Sequence, residues 1–87
     1  MIIKKKIDIE YFEEILSEIK TFEIRLNEFE CNPGDTLLLK EKDPKTKILT
    51  GRTIEKTIVH VKKIDLKNYH YPMKEIIEKG LLVISFR

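Results

Sequence analysis

The chain has a single cysteine, Cys31, and only two histidines, His60 and His70, which lie far apart. No internal disulfide can form, and no ligand spacing suits a zinc site, so neither a metal nor a cofactor is expected. Long apolar runs are also missing. The opening M-I-I-K-K-K-I-D-I-E carries lysines with no hydrophobic stretch behind them, which predicts neither a secretory signal nor a membrane span and fits a reducing cytoplasm. There are no internal repeats, linkers or low-complexity segments. An RNP-like aromatic pair, a KH-type G-x-x-G loop and a zinc knuckle are absent too, which excludes those nucleic-acid modules.

What is present describes a small folded unit. At 87 residues there is room for one domain, 1–87, with a single core. A hydrophobic share of 41% is too high for disorder, and a charged share of 37% is high for so small a globule. The net charge of +2 means that attraction to nucleic acid has to come from a local patch.

Apolar periodicity divides the chain into seven elements. I-I-K-K-K-I-D-I forms a short strand, ending where Asp8 is placed to cap a helix. Tyr11, Phe12, Ile15, Leu16 and Ile19 then recur at helical spacing, with Glu10, Glu13, Glu14 and Glu18 on the other face, predicting an amphipathic helix over about residues 9–19. T-F-E-I-R-L alternates strictly and predicts a strand whose inner face is Phe22, Ile24 and Leu26. N-P-G-D at 32–35 is a turn, T-L-L-L-K-E-K a second strand of this run, and D-P-K-T-K-I-L-T-G-R a hairpin with an exposed basic tip. In the long strand R-T-I-E-K-T-I-V-H-V-K-K-I the apolar parity switches near 58–61, as at a bulge. D-L-K-N-Y-H-Y-P is an irregular connection, M-K-E-I-I-E-K-G a short helix stopped by Gly80, and L-L-V-I-S-F-R a buried closing strand. This order gives an α+β, mainly β, class: a small curled mixed sheet, closed or nearly closed.

The stretch K-T-F-E-I-R places a lysine, a glutamate and an arginine within six residues, either as a solvated face with an internal ion pair or as a polar pocket. With its helix, the N-P-G-D turn, E-K-D-P and T-G-R, it resembles short bacterial and phage proteins related to the ASCH domain, in the PUA-like β-barrel superfamily. The resemblance covers roughly residues 4 to 64. The family pattern is commonly Gly-x-Lys-x-x-Glu-x-Arg. Lys20, Glu23 and Arg25 match it, while Glu18 stands where glycine is usual. The resemblance implies a PUA-like curled barrel and a pocket between the first helix and the barrel that binds RNA or a modified nucleoside through Lys20, Glu23 and Arg25, with Arg52 of T-G-R beside them. Those residue types suit such a ligand, because lysine offers a point charge to phosphate, arginine a planar fork, and glutamate an acceptor for an exocyclic amine.

The same resemblance carries an alternative. Some ASCH-like proteins are small amidohydrolases acting on N4-acetylcytidine, with a lysine equivalent to Lys20 as nucleophile or base and a threonine where this chain has Glu23. Glu23 could serve as a base on water, but flanking Lys20 and Arg25 make it an ion-pair partner first, so no catalytic residue is assigned. Cys31 has no evident histidine partner. Lys40, Lys42, Lys45, Lys47, Arg52, Lys56, Lys62 and Lys63 can form a basic stripe, interrupted by Glu41, Asp43 and Glu55. Tyr69 and Tyr71, around His70, are expected to anchor a loop rather than stack on a base. A protein-interaction module without catalysis is the remaining class, as a monomer or weak homodimer.

Overall fold

The computed structural model describes residues 1–65 and 74–87, with backbone alone for 75–77. The connection carrying Tyr69, His70 and Tyr71 lies outside the described residues. Seven elements follow in the expected order: β1 (Ile2–Asp8), α1 (Ile9–Leu16), β2 (Phe22–Leu26), β3 (Thr36–Lys42), β4 (Leu49–Ile64), α2 (Lys74–Lys79) and β5 (Leu81–Phe86). The strands form one mixed sheet in the order β1-β3-β4-β5-β2, with β1 parallel to β3 and the other pairs antiparallel. This is a mainly β, α+β architecture. Its ladder does not close, because β1 and β2 each pair on one side only and are the two edges. No helix among the described residues is long and apolar enough to cross a membrane.

Alternation fixes the inner face of the central strands. Leu37 and Leu39 of β3, and Leu82, Ile84 and Phe86 of β5, point inward at period two, and Phe12 and Ile15 of α1 cover them together with Ile3, Ile7 and Ile58. β5 is an internal strand between β4 and β2, which covers its hydrophobic run. β4 is shared by two ladders. Its first half pairs with β3 and its second half with β5, and the register slips between Ile58 and His60, so Val59 is an extra residue at the expected parity switch.

Two expectations about the helix and the strand after it are corrected. The helix ends at Leu16, not at residue 19, because the chain turns back on it: the amides of Ser17, Glu18 and Lys20 donate to the carbonyls of Glu13, Ile15 and Glu14. Glu18 takes the left-handed conformation (φ +64°) that glycine holds most cheaply, and Ile19 is thrown out to 81% exposure instead of joining the core. Leu16 and Tyr11 are also partly exposed.

The second correction concerns β2. Phe22 and Ile24 are about half exposed, while Glu23 is only 6% exposed. The cause is register. Glu23 stands opposite Ile84, a core residue of β5, and residues facing each other across a ladder share a face. Phe22 and Ile24 face Ser85 and Val83 and therefore look outward.

Candidate binding groove between the open edges

Because the ladder is open, β1 and β2 border a groove of about 400 Å³, a size typical of small-molecule sites. β2 contributes Phe22, Glu23, Ile24 and Arg25, the turn before it Lys20, β1 Lys6, Ile7 and Asp8, α1 Tyr11 and β3 Lys42. The expected trio converges here. Lys20 Nζ donates to Glu23 Oε1 at 3.2 Å, and Arg25 Nε donates to Glu23 Oε2 at 3.0 Å. A second Arg25 nitrogen lies 2.9 Å from Glu23 Oε2 and donates to the Lys6 carbonyl at 2.6 Å, so one guanidinium spans the gap between the two edge strands. K-x-x-E-x-R thus lines a polar pocket rather than a solvated face.

The rest of the lining departs from what the sequence predicts. The Lys20 ammonium lies 4.8 Å from the Tyr11 ring centre and 5.7 Å from that of Phe22, which places it against two partly exposed aromatic faces. Periodicity alone assigns both aromatics to the core. Lys42 Nζ is 3.6 Å from Asp8 Oδ1. Four cationic side chains face two acids, so the lining favours an anion. Asp8 sits at the residue before α1, but its side chain makes no capping hydrogen bond.

Arg52 is not among the residues lining this groove. A register shift between Lys40 and Lys42, with Gly51 at φ +95° on the facing strand, lets Thr50 and Arg52 both reach Glu41. Glu41, only 3% exposed, accepts from Thr50 Oγ1 at 2.6 Å and from Arg52 Nε and a terminal guanidinium nitrogen at 2.9 and 2.6 Å. Arg52 also pairs with Glu13 of α1 and lies 4.9 Å from the Phe12 ring centre. The network ties α1 to the β3–β4 hairpin. The basic stripe is broken up in the same way: Lys42 turns to Asp8, and Lys63 pairs with Glu30 at 3.7 Å. Cys31 is buried, and burial pushes its thiol pKa up, with the nearby Asp35 and Glu30 charges adding to the effect, which opposes a nucleophilic role.

The hydrogen bonds from Arg52 and Thr50 hold Glu41 below the ordinary carboxylate range, and those Arg52 makes to Glu41 and Glu13 raise its own pKa. A carboxylate whose pKa falls on folding contributes stability that is complete above its unfolded value and is lost as pH drops through the folded value. Unfolding free energy should therefore fall as pH is lowered below about 4.5, the ordinary value for a glutamate. Glu41→Gln should start less stable at pH 7 and show a shallower acid decline in urea melts taken from pH 7 to pH 3. An unchanged acid slope would show that Glu41 is not responsible.

A family model described as a domain of unknown function, DUF3850, matches residues 2–77. The chain belongs to that family. The region shared with DUF3850 takes in both walls of the groove and the Glu41–Arg52 network, and it stops before β5. Among curated proteins none matches the chain.

Proposed function

We propose that this DUF3850 domain binds RNA or a nucleotide in the groove between β1 and β2, as an opened form of a PUA-like barrel of the ASCH type. The observation that carries the reading is the convergence of Lys20, Glu23 and Arg25 in a cation-rich groove beside the exposed rings of Tyr11 and Phe22. Lys20 and Arg25 keep donors that Glu23 does not use, and Lys42 adds a third positive charge, which suits phosphate oxygens. The aromatic faces suit an unstacked base. The guanidinium bridge from Arg25 to the Lys6 carbonyl supports an almost closed barrel. Amide hydrolysis is the less supported reading, because both Glu23 oxygens are engaged by cations and the residue is only 6% exposed, which leaves little access for a water to be activated there.

The test is titration of a labelled single-stranded RNA at several salt concentrations. Lys20→Gln and Arg25→Gln should each weaken binding across RNA sequences and flatten the log–log salt dependence by roughly one unit per lost phosphate contact. A folded protein that binds no RNA at low salt would remove the proposal and leave a protein-interaction module in its place. Release of acetate from N4-acetylcytidine, abolished by Lys20→Ala or Glu23→Gln, would put the amidohydrolase reading first.

A further inference from the structure

We infer that Asp8, rather than Glu23, is the acceptor that reads the amino edge of a ligand in this groove; the inference rests on the nucleotide-binding proposal and assigns its base selectivity. An acid that recognises a ligand donor needs a lone pair not already committed. Glu23 is poorly placed for this: Lys20 donates to one oxygen, two Arg25 nitrogens lie against the other, and the residue is only 6% exposed, so little of its acceptor capacity faces a ligand.

Asp8 is the second acid of the lining, and it is placed differently. Two partners would ordinarily engage an aspartate at this point of the chain. One is the helix end, where a side chain before the first turn accepts a backbone amide, and Asp8 makes no such bond. The other is Lys42, whose ammonium stays 3.6 Å away, beyond hydrogen-bond length. Asp8 Oδ1 is sealed from solvent and accepts no hydrogen bond from a described residue. The side chain as a whole stays 34% exposed and lines the groove, so the oxygen a ligand would meet is Oδ2. A carboxylate held at a groove wall by one long ion pair keeps acceptor capacity for a donor brought by a ligand.

The neighbours supply the rest of a nucleotide site. Asp8 shares a face of β1 with Lys6, and Tyr11 lies three residues on, one helical turn away. A base resting on the Tyr11 or Phe22 ring has its edge within the same groove as Asp8, with Lys20, Arg25 and Lys42 left for its phosphate. The ligand class is then a nucleotide with an exocyclic amino group. Replacing that amino group by hydrogen would leave the carboxylate with no donor to meet at that position.

Adenosine 5′-monophosphate and purine riboside 5′-monophosphate test this, since they differ only in whether one ring carbon carries an amino group or hydrogen. Calorimetry on the full chain should show the adenosine compound binding about tenfold or more tightly than the purine riboside compound. Asp8→Ala should bring the two within about twofold, because the acceptor is gone. Glu23→Gln should change both affinities together and keep their ratio. Melting curves of both variants establish that they are folded. Equal affinities in the unmodified protein, or a preference that survives Asp8→Ala, would overturn the assignment while RNA binding stands. If the unmodified protein binds neither mononucleotide nor single-stranded RNA, the nucleotide reading itself falls.

Discussion

Replacing Gly80 with alanine should destabilise the protein by ~2–5 kcal/mol, combining backbone strain with overpacking. Gly80 has φ +75°, and a Cβ there would collide with the carbonyl oxygen of Ile64, at the end of β4. The obstacle is backbone, so no rotamer change relieves it. Gly80 also accepts a hydrogen bond from the Asn27 amide at 3.1 Å, so any shift pulls on the segment after β2. Gly51→Ala is the control, because φ is +95° there but the space around it is open. It should cost only the left-handed strain, ~1–2 kcal/mol. Urea unfolding of both variants measures the difference, and equal losses would mean that the close approach to Ile64 has no energetic weight.

Phe12→Ala should cost ~3–5 kcal/mol, the usual range for deleting a buried phenylalanine ring. Phe12 is 1% exposed, packs within the core of β1, β3 and β5 residues, and lies beneath the Arg52 guanidinium. Its removal therefore opens a cavity and takes away one face on which Arg52 rests. Phe12→Leu retains most of the volume but not the ring, so a loss well below that of alanine, measured by the same melts, would apportion the effect between packing and the aromatic face. If alanine and leucine destabilise equally, cavity formation is not the main cost.

Where residues act locally, the sequence is legible. Helical spacing places Phe12 and Ile15 in the core, period two does the same for the alternating leucines of β3, and a change of parity marks the slip near Val59. Glu23 and Arg25 of the K-x-x-E-x-R trio are readable as neighbours because residues two apart share a strand face, while Lys20 joins them through the turn that precedes β2. What is not legible depends on partners far along the chain. F-E-I-R-L has two well-defined faces, but only pairing with β5 decides which is inner, and that pairing sets Glu23 against Ile84. Hydrophobicity alone selects Phe22 and Ile24. The charge of Arg52 suggests the phosphate site, since nothing local foretells that a register shift directs it to a buried Glu41. Position alone suggests a helix cap at Asp8, and no capping bond forms.

The groove's two walls are close in sequence but lie at opposite ends of the sheet order. β1 is held by β3, β2 is held by β5, and in the strand ladder of the described residues β4 links the two halves, with the Arg25–Lys6 hydrogen bond reaching across the gap. The site therefore exists only once every strand has docked, and no partly folded intermediate can offer it. A molecule bound across both walls would stabilise the complete fold selectively, by an amount that grows with the logarithm of its concentration. In amide hydrogen exchange its addition should slow β3 and β5 together with the strands it touches, so that occupancy is felt as a single change of opening rate across the whole sheet.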